Sequence, residues 1–327
     1  MRHPRPTPAS TSSRRDYWLR CGLGGAQVTP PVRAALLMLV GATCVSVMNV
    51  TIRLIVEEVH PFQAAFFRNL FGLIVLLPFL GRHWIQPFRT RMRGRLALSG
   101  LGHLVAMLAY FTAIAHMPLA DVTALSFTKP LFATVGAALI LGEVVRARRW
   151  AAVAVGFAGV LIVLQPGVAT VSPYAGLVLL STLSIAAVTL MIKRLTATDG
   201  AVTIVLYQSL FLSIYSLPLC LLHWEMPDGE TWLLMGLTGI VGTGSWLAFT
   251  RAFALVDASS VMPFEFARLP LTALLAWLLF AEVPTVWTWV GGAVIFASTA
   301  YITRRESRAG GAEPAKASKL ARPAADS

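Results

Sequence analysis

The sequence predicts an all-α integral membrane protein with ten transmembrane helices arranged as two inverted five-helix repeats. Three observations carry this. Apolar residues make up 56% of the 327 and charged residues only 13%, about half the roughly 25% of an ordinary soluble domain. The charges lie between long apolar runs, each close to the ~20 residues that cross a ~30 Å hydrocarbon core. The chain also matches itself at a displacement of about 140 residues.

The apolar runs place spans at about 34–55, 62–81, 95–117, 121–142, 148–166, 173–193, 200–222, 231–254, 258–282 and 285–303. Of the 27 Lys and Arg residues, all except Arg53, Arg68, Lys129 and Arg268 fall in the two tails and in alternate loops. The opposite loops hold no Lys or Arg, but they contain Glu57, Glu58, Asp121, Glu225, Asp228, Glu230 and Glu282. Cytoplasmic loops are the basic ones, so both termini are expected in the cytoplasm and the chain in the cell inner membrane. One span more or fewer would scramble the alternation, and the charges therefore support ten independently of hydropathy. The net charge of +12 is thus a topology signal and does not call for nucleic acid. Cys21, Cys44 and Cys220 are too far apart for a metal or disulfide framework.

Residues 1–33, rich in Pro, Ser and Arg, read as a disordered basic cytoplasmic tail, and 304–327 as a second cytoplasmic tail. The Arg14-Arg15 pair is followed by a stretch too polar for the apolar region of an export signal. The repeats occupy 34–167 and 168–303. The stretch FFRNLFGLIVLLPFLGRHW (66–84) lies over LYQSLFLSIYSLPLCLLHW (206–224). At a displacement of 139, Phe127, Lys129, Glu143 and Trp150 fall on Phe266, Arg268, Glu282 and Trp289. Five spans per half is an odd number, so equivalent helices cross in opposite directions, an architecture in which transporters place substrate near the midplane.

SFTKPLFATVGAALILGE (126–143), RRWAAVAVGFAGVLIVLQPG (148–167) and FEFARLPLTALLAWLLFAE (264–282) resemble the closing helix pairs of EamA domains. On these stretches the chain resembles the drug/metabolite transporter superfamily, specifically its members with two EamA domains. The resemblance covers about 34–303 and implies ten helices around a central cavity and transport of small organic metabolites. AFFRNLFGLIVLLPF and VDASSVMPFEFARLP are similar to stretches in members assigned to S-adenosylmethionine uptake. The family shares no universal catalytic motif, so the resemblance supplies no site residues.

The candidate site comes from charge inside the membrane. A charge at mid-span costs about 3 kcal/mol on insertion scales and normally faces a protein interior or wet cavity. Arg53, at the end of the first span, is expected to snorkel. Lys129 and Arg268 sit near mid-span at equivalent repeat positions, with Glu265 three residues from Arg268 and Arg68 early in the second span. Phe127 and Phe266, each two residues from a cation, complete the substrate-binding candidates. The competing structural reading pairs Arg268 with Glu265 and lets Lys129 bond carbonyls of a neighbouring helix. Pro130, Pro263 and Pro270 free the carbonyls of Ser126, Ser259 and Phe266, which need partners or water in a bilayer. Tyr110, Phe132, Tyr207, Trp246 and Phe264 are further aromatics expected near the cavity. Glu143 and Glu282 read as carboxylates at the N-terminus of the following helix. The glycines of MGLTGIVGTG (235–244), with Gly156, Gly159, Gly291 and Gly292, read as sites of close helix packing.

The expected activity is secondary transport of a small anionic or zwitterionic metabolite, amino-acid-like or S-adenosylmethionine-like, by alternating access. No ATP-binding motif is present, which leaves a proton or solute gradient as the energy source and Glu265 as the protonatable group. The alternatives are an integral membrane enzyme and a channel or lipid scramblase. Against the first, His3, His60, His83, His103, His116 and His223 are scattered, and His103 alone reads as a packing residue. Against the second, no filter-like loop is present. No cofactor or metal is expected. The expected partners are a small-molecule substrate and the lipid bilayer, with proton coupling and a homodimer left open.

Overall fold

The computed structural model describes residues 30–76, 92–141, 147–165, 172–195, 201–256 and 264–320. Within them the secondary structure is helical, with no strand. The helices are α1 (Pro30–Glu58), α2 (Pro61–Leu76), α3 (Arg93–His116), α4 (Leu119–Ser126), α5 (Lys129–Leu141), α6 (Ala147–Leu164), α7 (Pro173–Leu195), α8 (Ala201–Leu222), α9 (Gly229–Leu255), α10 (Arg268–Phe280) and α11 (Val286–Leu320). A helix pairs its backbone groups internally, which hydrocarbon demands.

Among the described residues, seven helical stretches are long and apolar enough to cross a bilayer: α1, α3, α4 with α5, α6, α7, α9 and the first part of α11. Pro61–Leu76, Leu206–Leu222 and Arg268–Phe280 are apolar but shorter. The outer surface is apolar too. Leu139, Leu222 and Leu233 are each 76% exposed, a surface that in water would drive association.

Local chemistry sets the helix ends. α1 stops just before His60-Pro61 and α3 before Pro118, because the residue preceding a proline is pushed out of helical geometry. Asp228 caps α9, its Oδ1 accepting from Thr231 N at 2.7 Å. That bond holds the carboxyl of Asp228 below its ordinary pKa. α10 closes on Ala281 in left-handed conformation, φ 53°.

The main packing partners are drawn from opposite halves of the chain. α1 lies on α9, α3 on α7, α6 on α11, α2 on α8 and α9, α3 on α8, α1 on α10, α5 on α7 and α4 on α10. Contacts fix the directions. Met38 packs with Ala252 and Thr238 Oγ1 donates to Thr51 Oγ1 at 2.9 Å, so α1 and α9 are antiparallel. α4 and α10 are antiparallel as well, with Ser126 meeting Arg268 and Leu119 meeting Glu282. The molecule thus has a near end, where α1 begins and α9 finishes, and a far end, where α1 finishes and α9 begins.

Several of the glycines expected at close contacts are found there. A Cβ on Gly291 would lie 2.7 Å from Gly159 O, and one on Gly159 would lie 3.0 Å from Gly291 O, so α6 and α11 touch backbone to backbone. Glycines 236 and 244 have open space around them and take no part in packing.

Candidate functional site

The prolines break the central helices at matching places. Phe127 and Thr128 form a turn between α4 and α5, and Phe266 and Ala267 form one directly before α10. Lys129 and Arg268 are consequently each the first residue of a helix. Two of the freed backbone groups find partners. Phe127 O accepts from Thr299 Oγ1 of α11 at 3.1 Å, and Phe266 O accepts from Leu269 N at 3.0 Å. The carbonyl of Phe266 is therefore not left open, because a tighter turn replaces the lost helical bond. Ser259 and Pro263 lie outside the described residues, as does Glu143.

Arg68, Phe127, Lys129, Glu265 and Arg268 all line one cavity of about 570 Å³. Arg268 is held from several sides. Its Nη2 donates to Ser126 Oγ at 2.6 Å, its Nη1 lies 3.9 Å from Glu265 Oε1, and its Cζ sits 4.7 Å from the ring centroid of Phe127. A guanidinium so placed over a ring gains ~2 kcal/mol when shielded from water. Its Nε has no partner among the described residues. Its backbone carbonyl accepts from Ser46 Oγ at 3.2 Å, and Thr272 Oγ1 donates to the same hydroxyl at 3.0 Å, which fastens α10 to α1.

Lys129 makes no hydrogen bond or ion pair with another described residue, although the charges of Glu265 and Arg268 act on it. Among the described residues, no carbonyl accepts from its ammonium. Arg68 donates through Nη1 to Asn69 Oδ1 at 2.9 Å. Asn69 is itself fixed by Ala65 O and Met107 Sδ. Gly242 leaves room for this guanidinium: a Cβ there would stand 3.2 Å from Arg68 Nη2.

Phe266 is placed differently from expectation. It does not line the cavity but packs behind the wall, its ring centroid 4.6 Å from Phe296 and 5.8 Å from Phe127. The turn before α10 sends it into that aromatic cluster, and Phe296 faces the cavity in its place. Of the other aromatics, Tyr110 lines the cavity. Phe132 packs on Phe157 and Tyr207 on Phe211, while Trp246 and Phe264 are exposed.

Two cavity residues escape the sequence reading. His103, expected to serve packing, lines the cavity, and its Nδ1 has no partner among the described residues. Asn49 is 1% exposed; its Oδ1 accepts from Tyr110 OH at 3.4 Å and its Nδ2 has no partner among the described residues. The available signal was a lone polar side chain inside an apolar span.

Arg53 does not snorkel. It donates to Ile114 O and to Met117 O, the latter at 3.3 Å, and lies 3.6 Å from Glu282. These carbonyls belong to the end of α3, where the helix leaves acceptors open and the dipole is negative. Glu282 caps not the helix that follows it but α4, its Oε2 accepting from Leu119 N at 2.9 Å.

The family profile described as EamA-like transporter family matches residues 32–165 and again 172–304. The chain belongs to the EamA-like transporter family. It is a multi-pass membrane protein that transports small molecules, and not an enzyme. A riboflavin transporter of Vibrio cholerae is 36% identical, over 72% of this chain and 80% of its own. An S-adenosylmethionine uptake transporter of Rickettsia felis is 28% identical, over 84% and 92%. A pseudopaline exporter of Pseudomonas aeruginosa is 28% identical, over 82% and 95%. A solved crystal structure matches with a TM-score of 0.57 at 19% identity, over 83% of this chain and 98% of its own, a likeness of fold alone.

Proposed function

We propose that this EamA transporter carries an anionic or zwitterionic organic metabolite across the cytoplasmic membrane by alternating access. The observation that carries the reading is the charge of the cavity: Arg68, Lys129 and Arg268 share it with Glu265, the one lining carboxylate among the described residues. Asn49 Nδ2 and Arg268 Nε add donors without a partner among the described residues. A site rich in donors and positive charge favours a ligand rich in acceptors, held by charge-assisted hydrogen bonds. A zwitterion fits if its ammonium or sulfonium faces Glu265, which suits an amino-acid-like or S-adenosylmethionine-like solute. Phe127, Tyr110, Phe249 and Phe296 line the same cavity and favour a flat group on the solute, a feature also compatible with the relatives named for riboflavin.

The packing supports ten spans in two inverted repeats, 34–167 and 168–303, with both termini cytoplasmic. Exchange each helix for its repeat counterpart and the contact between α1 and α9 becomes that between α7 and α3. By the same exchange α2 on α9 becomes α8 on α3, while α6 on α11 and α2 on α8 map onto themselves. A twofold relation between halves requires this pattern. Proton coupling is assigned to Glu265, which faces both cations.

A melting-temperature screen of the purified protein tests the substrate class. Riboflavin, S-adenosylmethionine, amino acids and dicarboxylates form the panel, and carboxylate-bearing solutes should raise the melting temperature in a way that Lys129→Ala abolishes. Stabilisation by neutral or purely cationic solutes alone would sink the reading.

A further inference from the structure

Among the described residues, the lining of the cavity reaches toward one end. From the depth of Asn49, Arg68 and Lys129 it extends toward the near end, as far as Met38 and Phe249. Beyond Asn49 no residue of α1 lines the cavity, and Arg53 stands four residues further along α1, about 6 Å by helical rise.

The contacts there are polar and link the two halves of the chain. Arg53 of α1 meets Glu282 beyond α10 at 3.6 Å, and the same carboxylate accepts from Leu119 N at the start of α4. Thr288 Oγ1 of α11 donates to Asp121 Oδ1 of α4 at 2.6 Å. Gln63 of α2 clips the segment before α9, donating to Glu225 O at 2.8 Å and accepting from Glu225 N at 3.0 Å. The left-handed turn at Ala281 directs Glu282 back over α4. Ala281 N donates to Trp277 O at 3.1 Å and Glu282 N to Ala276 O at 3.3 Å. The ion pair is not sealed away, since each partner is about a fifth exposed. Water can take over both charges when the halves part. A buried pair would lose that replacement.

We propose that Arg53 and Glu282 form the far-side gate of the transport cycle, the ion pair that holds the cavity shut on that face and parts when it opens there. This rests on the cavity being the transport path. Arg53 also ties the end of α3 and Glu282 the start of α4, so the α3–α4 corner leaves the second half only when Glu282 releases both Arg53 and Leu119. Asp121 and Thr288 make the adjoining contact of the same gate.

The test measures access to the cavity, and so needs no known substrate. In the full chain with Cys21, Cys44 and Cys220 replaced by Ala, Val45→Cys places a thiol on the cavity wall. Its reaction with a membrane-impermeant maleimide is timed in right-side-out and inverted membrane vesicles. The parent should react quickly from the side bearing the termini and slowly from the other. Glu282→Gln and Arg53→Gln should each raise the far-side rate at least tenfold, with the near-side rate unchanged. Thr288→Val leaves the ion pair in place and guards against loss of fold; it should raise the far-side rate about threefold. Far-side rates within a factor of two of the parent in folded variants overturn the gate alone. A thiol unreactive from either side overturns the reading of the cavity as the path.

Discussion

Arg268 of α10 donates to Ser126 Oγ of α4 at 2.6 Å, joining the two family segments at the point where each central helix is interrupted. The bond places a guanidinium of the second segment against the wall formed by the first. Cavity lining and contact between halves therefore converge on one side chain.

Arg268→Ala should abolish uptake while expression stays near wild type. The loss of a hydrogen bond to a charged group is worth about 2 kcal/mol, roughly thirtyfold in binding. Lys129→Ala, which breaks no hydrogen bond or ion pair with a described residue, should weaken anionic solutes most and leave the melting temperature nearly unchanged. Vesicle uptake and ligand-induced melting shifts measure both. Wild-type uptake by both variants would make the cations structural.

Glu265→Gln removes the one lining carboxylate among the described residues while keeping the shape of the site. Uptake by the wild type should depend on pH, and the variant should show a flattened profile. Identical profiles would remove Glu265 from coupling.

Asp228 supplies a prediction with a definite sign. Its pKa is lowered by the bond from Thr231, so the folded state holds its proton less firmly than the unfolded chain. The stabilisation is complete above the ordinary carboxylate range and disappears as pH falls through the lowered value. Asp228→Ala should lower the melting temperature at pH 7 and converge with wild type in acid, whereas Asp228→Asn, which keeps the cap, should lower it less.

Gly291→Ala puts a carbon 2.7 Å from a backbone oxygen of α6 and must move one helix against the other. Overpacking of this kind costs about 1–3 kcal/mol, to be read as a lower melting temperature in detergent. Gly236→Ala, in open space, is the control and should be neutral.

Reporter fusions at Ser327 and within 226–230 should report opposite sides of the membrane, with the tail inside. Both on one side would remove the ten-span arrangement.

Hydropathy made the all-helical membrane class legible, because each apolar stretch is decided by its own residues. The broken central helices were legible through Pro130 and Pro270. The destinations of Arg53 and Glu282 were not. Each is bound by groups far along the chain, Met117 O and Leu119 N, and an apolar run says nothing of which helix end will stand beside it. Lys129 and Arg268 could be paired because the repeat makes them equivalent. Asn49 and His103 have no such echo, and only the packing of α1 against α3 brings both to the same cavity. Phe266 was misplaced because a two-residue turn rotates the ring by an amount that helical spacing does not contain.

The pair formed by Arg53 and Glu282 has an electrical consequence. A single charge swept through the bilayer would tie opening to the membrane potential, at about 2.3 kcal/mol per elementary charge per 100 mV. Two opposite charges parting at one face carry no net charge through its thickness. Voltage should therefore leave the far end indifferent and act on the cargo, so that the current measured per turnover counts the charge of the solute and of whatever ion travels with it.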